Sequence, residues 1–428
     1  MNPAAILTVL IFVSSLILIF TEKINRTIVA FAGAFLTIGV GEALHFYELH
    51  SAVEAIDFET LGLLLGMMIL VAMLEPTGFF QYLAVLAARA SKGQPIRLFV
   101  LLGSVTTILS MFLDNVTTVV LIAPVTLLIS EILGVSAIPY LISEAILSNT
   151  GGVATLVGDP PNVLIGSAAG FSFVDFLVYS LPIVAVTWFG ALFLLRRLFK
   201  QDLLQEPENA DAVMKLNPAQ SLNEPGKARK ILIVLGVAIL FFFIHHLLHV
   251  EPAFVALGAA AVALMWVRPD IHETLKKVEW SVLVFFGALF VMVGGLEKAG
   301  VLDSIVGLFR GEETLHPVLF GVIIIWAVAI LSAVVDNIPI TIALIPIIQG
   351  VGETGIDITP LWWALAFGAG FGGNGTIIGS TANIIVVTLS EKTRTPITAA
   401  LWLKRGLPVM LFACAIASIL YTILYNWF

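Results

Sequence analysis

The chain has 428 residues, 59% of them hydrophobic and 12% charged, with a formal net charge of −8 and a mean hydropathy of +1.05. That balance excludes an ordinary soluble protein. The single cysteine, Cys414, excludes disulfides and thiolate metal clusters within one chain.

Apolar runs approaching the roughly 20 residues that cross a bilayer as helix recur throughout. Long blocks, rather than alternating segments of about 10 residues, argue for helices over a barrel. Spans are predicted at 4–20, 27–44 and 59–75. The first lacks the basic flank of a signal peptide and is expected to be retained. An amphipathic stretch follows at 79–92, then a hairpin over 97–131 split by Asp114-Asn115. A span over 138–168 is broken at glycines, and another covers 175–198. Residues 200–230 form a polar, proline-containing linker. The second half repeats the order: 231–249, 252–267, 280–297, a hairpin over 317–351, a broken span over 361–388, and 406–427.

The repetition extends to motifs. Asp114-Asn115 returns 222 residues later as Asp336-Asn337. Gly151-Gly152, Thr155, Gly158 and Asn162 return at an offset of 221 as Gly372-Gly373, Thr376, Gly379 and Asn383. Broken apolar segments at matched places in two halves point to the midplane site of a secondary transporter.

Charge tests the topology. With five full spans and one re-entrant hairpin per half, and a cytoplasmic linker, 19 of the 21 basic residues fall on the cytoplasmic side. Only Lys298 and Arg310 lie outside, a strong positive-inside pattern. Five is odd, so the repeats 1–199 and 231–428 must insert upside down relative to each other. The expected fold is therefore an all-α polytopic membrane protein with an inverted repeat. Both termini are predicted external, and the membrane is expected to be the cytoplasmic (inner) one.

Polar residues within these runs are the candidate site. A re-entrant turn exposes backbone groups that protein or a wet cavity must satisfy. Asn115, Asn337, Thr117, Thr118 and Thr341 can do so, and the two asparagines can also cap the second hairpin helices. Asp114 and Asp336 are harder to explain structurally, because a carboxylate at membrane depth is functional by default. In the broken spans, glycines at 151, 152, 372 and 373 permit unwinding. Freed carbonyls there, with Asn149, Thr155, Asp159, Asn162, Asn374, Thr376, Ser380 and Asn383, can hold a cation or polar solute. The alternative is a simple kink. The halves differ: Asp159 aligns with Ser380 and Glu144 with Leu365. Asp114, Asp336, Glu144 and Asp159 are thus the proton-coupling candidates, with a hydrogen-bonded bundle carboxyl as the bland reading of Glu144. Glu75, Glu297, His245, His246 and His249 sit at span ends and read as interfacial.

Asp57-Phe58-Glu59-Thr60-Leu61-Gly62, Leu113-Asp114-Asn115-Val116-Thr117-Thr118 and Gly158-Asp159-Pro160-Pro161-Asn162 resemble the ion transporter superfamily. The branch they resemble holds the arsenite permeases, the P protein and NhaD-like sodium/proton antiporters. That resemblance implies a carrier, not an enzyme. It implies a homodimer and, if arsenite is the cargo, a soluble ATPase subunit as partner. The symporter branch has Ser-Asn-Thr at its hairpin tips, where this chain has Asp114-Asn115-Val116 and Asp336-Asn337-Ile338. A buried aspartate repels a dianion and suits a cation, a proton or a neutral hydroxide.

The leading expectation is proton-coupled efflux of arsenite or antimonite by alternating access, with sodium/proton antiport as the alternative. A dicarboxylate symporter, a channel and an intramembrane aspartyl protease are weaker fits. The protease signatures Gly-x-Gly-Asp and Pro-Ala-Leu are missing. The expected partners are membrane lipid and a small inorganic solute. No cofactor, structural metal or nucleic acid is expected, and the coupling ion is H+ or Na+.

Overall fold

The computed structural model describes residues 3–21, 23–301, 316–352, 355–393 and 395–428. Arg310 and Arg394, both used in the charge count, lie outside the described residues. Among those described, every regular element is helical. In the first half these are α1 (Pro3–Phe20), α2 (Arg26–Ala43), α3 (Phe58–Leu74), α4 (Phe79–Ser91), α5 (Pro95–Ser110), α6 (Asn115–Leu133), α7 (Ile138–Gly152), α8 (Pro160–Ala169) and α9 (Leu181–Leu198). The second half carries α10 (Pro225–Ile244), α11 (Pro252–Val267), α12 (Trp280–Lys298), α13 (Pro317–Val334), α14 (Asn337–Gly352), α15 (Thr359–Gly372), α16 (Thr381–Ser390) and α17 (Ala399–Leu424). Shorter helical turns fill some of the connections.

Local chemistry sets the helix starts. Proline heads α5, α8, α10, α11 and α13, where its missing N–H costs nothing and its fixed φ suits the first turn. Side-chain oxygens cap α2 (Asn25), α3 (Asp57) and α17 (Thr398). Two boundaries differ from expectation. Helix α10 begins at Pro225, inside the predicted linker, and α17 begins at Ala399 rather than 406. In both cases Lys or Arg residues in the first turns mask the helix from a reading based on apolar runs. The rest of the linker is folded against the first half. The Glu208 N–H donates to Leu133 O at 3.0 Å and the Asn223 N–H to Thr77 O at 2.9 Å.

Seven described helical segments are long and apolar enough to cross a membrane, and Pro3–Ile19 and Pro252–Val267 are shorter apolar helices. Large apolar side chains such as Phe35, Leu240, Phe254 and Met265 point outward, as they must where lipid is the solvent. The chain is an all-α polytopic membrane protein. Its packing follows the repeat. Helix α2 lies on α12 while its counterpart α11 lies on α3, and α6 meets α16 while α14 meets α8. Each half therefore packs its hairpin and its early spans against the other half. The two broken helices cross between them, bringing both hairpin tips to one place.

Candidate functional site

The break between α7 and α8 is held by hydrogen bonds that the break between α15 and α16 repeats. Asn162 Nδ2 donates to Gly152 O at 3.0 Å and Thr155 O at 2.8 Å. Asn383 Nδ2 donates to Gly373 O at 2.7 Å and Thr376 O at 2.8 Å. The Thr155 hydroxyl donates to Met111 O, and the Thr376 hydroxyl to Ala333 O. Ser110 Oγ donates to Ser148 O and Ser332 Oγ to Ala369 O, both at 2.8 Å. These bonds satisfy backbone carbonyls that unwinding frees at membrane depth. Gly158 and Gly379 permit the close approach. A Cβ on Gly158 would stand 2.6 Å from Gly152 O, and one on Gly379 2.8 Å from Gly373 O.

A cavity of about 200 Å³ lies between the tips. Of the residues singled out from sequence, Asp114, Asn115, Thr117, Asp159, Asp336, Asn337 and Ser380 line it. The others stand behind. Asn149 is buried at the crossing, where Oδ1 accepts from Asn115 Nδ2 and Ser380 Oγ, both at 3.0 Å. Its Nδ2 donates to Asn374 Oδ1 at 3.0 Å and Asn383 Oδ1 at 3.1 Å. Asn374 also donates to Thr150 Oγ1 at 3.3 Å. The Thr341 hydroxyl returns to Asn337 O at 2.9 Å. Thr118 Oγ1 is buried. Gly151 and Gly372 serve helix packing, because a Cβ on either would strike α5 or α13. Glu144 lies off the cavity, with Thr126 Oγ1 donating to its carboxyl.

The three aspartates that line the cavity have different partners. Asp114 caps α6, accepting from Thr117 N at 2.8 Å and Thr117 Oγ1 at 2.5 Å. The capping expected of Asn115 thus falls to its neighbour. Asp159 accepts from Asn337 Nδ2 at 3.1 and 3.3 Å, a bond between the halves. Asp336 is paired with the Arg26 guanidinium, which also reaches Thr381 Oγ1 at 3.4 Å.

Arg26, Lys277 and Glu279 also line the cavity and carry no signal in the sequence beyond their places at span ends; Glu75 lines it as well. Glu75 pairs with Lys277 at 3.0 Å, and both side chains remain partly exposed. Glu279, just ahead of α12, has its carboxyl pushed up to about 7 by partial burial and then by the charge of Asp114, with Arg26 opposing. On the far side, His245, His246 and His249 share a separate cavity with Glu59 and Glu251.

The sequence model of the family described as "CitMHS: Citrate transporter" matches residues 16–368. The chain belongs to the CitMHS family. Relatives extend the match to nearly full length. A "46 kDa membrane protein" of Mycobacterium leprae is 37% identical over 427 residues, covering 97% of each chain. An uncharacterized transporter of Mycobacterium tuberculosis is 36% identical over 420 residues, also 97% of each. The human P protein is 31% identical over 487 residues, covering 93% of this chain and 57% of its own. Among solved structures, the YdaH transporter of Alcanivorax borkumensis has a TM-score of 0.63 at 13% identity, over 100% of this chain and 99% of that one. That likeness is one of fold. This CitMHS member is a membrane transporter, and its polar cavity lies where hairpins and broken helices of both halves meet.

Proposed function

We propose that the chain is a secondary active transporter that expels arsenite or antimonite in exchange for protons. The observation that carries this reading is the convergence of Asp114, Asp159 and Asp336 on one cavity with a single guanidinium, that of Arg26. With Glu75, Glu279 and Lys277 included, five carboxyls face two basic side chains, which leaves room for protons or a metal cation and disfavours a multivalent anion. Trivalent arsenic and antimony hydroxides are neutral near neutral pH. They offer hydroxyls that Asp, Asn, Ser and Thr groups can bind. The rim carries Arg26 and Lys277, so the positive-inside rule supports a cavity open to the cytoplasm.

Everted vesicles with an imposed, acid-inside pH gradient are expected to accumulate arsenite until the gradient is collapsed. No uptake in that assay would sink the arsenite reading. The excess of carboxylates favours sodium/proton exchange as the second reading, and sodium-dependent dissipation of the pH gradient would select it. Citrate uptake in the same vesicles would select the cargo of the family description over both.

A further inference from the structure

The two hairpin tips look equivalent in sequence, but their aspartates are held in different ways. Asp114 turns back on its own helix through the N–H and hydroxyl of Thr117. At the offset of 222 residues, Thr117 corresponds to Pro339. Proline has neither an N–H nor a hydroxyl, so Asp336 cannot make those bonds. It is met instead by Arg26 and by Thr381 Oγ1, which donates at 3.2 Å.

Arg26 is the first residue of α2, a helix packed on α12, and its guanidinium lies 5.4 Å from the ring centroid of Phe285 on α12. The ion pair therefore joins an early span, fixed from both sides, to the tip of a re-entrant hairpin. With 29% of the Arg26 and 18% of the Asp336 side chain exposed, the pair is open to the cavity. The other charged groups lining the cavity are Asp114, Asp159, Glu279, Glu75 and Lys277. Lys277 is engaged with Glu75, so Arg26 is the base that meets a tip carboxylate.

We propose that Arg26 is a tethered competitor for the coupling cation. Its guanidinium occupies Asp336 whenever a proton or metal cation does not, and so locks the second hairpin to α2 until the carrier is loaded. The coupling ion must displace Arg26 before the hairpin can move, which suppresses movement of an unloaded carrier. The inference rests on reading the cavity as that of a cation-coupled carrier, and it adds the residue that enforces coupling.

The test is amide hydrogen exchange at 337, 338, 340 and 341 in proteoliposomes, with transport measured in parallel on the same preparations. In the unaltered protein, protection of these amides relative to the intrinsic exchange rate at each pH is expected to be high at pH 8 and to fall on acidification or sodium addition. Arg26→Gln should exchange about tenfold faster at pH 8, the lower end for losing a charge-assisted hydrogen bond, and lose the response. Arg26→Lys should restore much of the pH response. Asp336→Asn should match Arg26→Gln, and combining the two should add nothing.

In transport, Arg26→Gln should permit cargo flux without an imposed gradient and shift half-maximal activity to higher pH, because protons no longer compete with a tethered cation. Protection that ignores pH and sodium in the unaltered protein, or that Arg26→Gln leaves unchanged, overturns the lock. So does unchanged coupling in a folded Arg26→Gln protein. If exchange behaves as expected and no proton-linked flux of arsenite or antimonite is found, the lock stands and the assigned cargo falls.

Discussion

Asn337, at the tip of the second hairpin, donates its amide to both oxygens of Asp159 in the broken helix of the first half, at 3.1 and 3.3 Å. The bond ties together the two elements that alternating access would move, and the Asp159 carboxyl lines the cavity. At the offset of 221 residues, Ser380 takes this place in the other half. Its hydroxyl donates to Asn149 and carries no charge. Of the two breaks, the first half's alone therefore contributes a carboxyl to the cavity.

Asp159→Asn should keep a hydrogen-bonding side chain of nearly the same shape and remove that group. The protein should remain folded in detergent while gradient-driven flux falls at least about tenfold, equivalent to about 1.4 kcal/mol of barrier. Flux in proteoliposomes that is undiminished and keeps its pH dependence would exclude Asp159 from coupling.

The paired asparagines of the breaks lead to a different expectation. Asn162 and Asn383 each give their amide to two carbonyls of their own loop. Neither lines the cavity. Replacing either with alanine strands two buried carbonyls, at a cost of about 1–3 kcal/mol for a buried group left unpaired. Asn162→Ala and Asn383→Ala should therefore both lower resistance to denaturation in detergent, Asn383→Ala the more, because its Oδ1 also accepts from Asn149 Nδ2. Gly158→Ala and Gly379→Ala should act likewise, since each added Cβ meets a backbone carbonyl. A larger loss at Asn162 than at Asn383, or strongly unequal losses for the two glycines, would contradict the equivalence of the breaks.

These comparisons show what the chain reveals by itself. Asp114, Asp336 and the glycine-rich breaks are legible, because charge and unwinding at membrane depth have few structural explanations. Asn162 and Asn383 were equally visible, yet spacing does not say whether an amide faces cargo or its own backbone. Arg26 was hidden for the opposite reason: a basic residue beside a span end is what the positive-inside rule leads one to expect. The signal that singles out its partner was the replacement of Thr117 by Pro339 in an otherwise matched pair of tips. Asn149 aligns with Gly370, and no internal comparison could identify its partners in the other half. They follow only from the crossing of the two broken helices.

Asn149 should accordingly be intolerant of change for structural reasons. It makes four side-chain hydrogen bonds, to Asn115, Ser380, Asn374 and Asn383. Asn149→Ala would leave several buried amide groups without partners at once, and satisfied polar networks are worth more than single pairs suggest. A loss of about 3 kcal/mol or more is expected. Unfolding in detergent, followed by tryptophan fluorescence, measures it. A near-neutral result would mean that the crossing repacks around the gap.

Glu279 gives the pH expectation. Its carboxyl is pushed up to about 7, first by partial burial and then by the charge of Asp114, while Arg26 pulls the other way. Below about pH 7 the side chain is mostly protonated and neutral, as glutamine would be. Above it, the side chain adds a negative charge to the mouth of the cavity. Glu279→Gln should therefore leave transport at pH 6 nearly unchanged and alter it at pH 8, where the variant should behave like the unaltered protein at lower pH. The pH must be varied on the face bearing Arg26 and Lys277, since those residues share the rim with Glu279. Arg26→Gln removes the opposing charge, so it should move the pH at which Glu279→Gln begins to matter upward. If Glu279→Gln changes flux equally at pH 6 and pH 8, the rim carboxyl is not titrating in this range. If it changes flux only at pH 8, and that threshold rises in the Arg26→Gln background, the rim and the tip pair act through one electrostatic field.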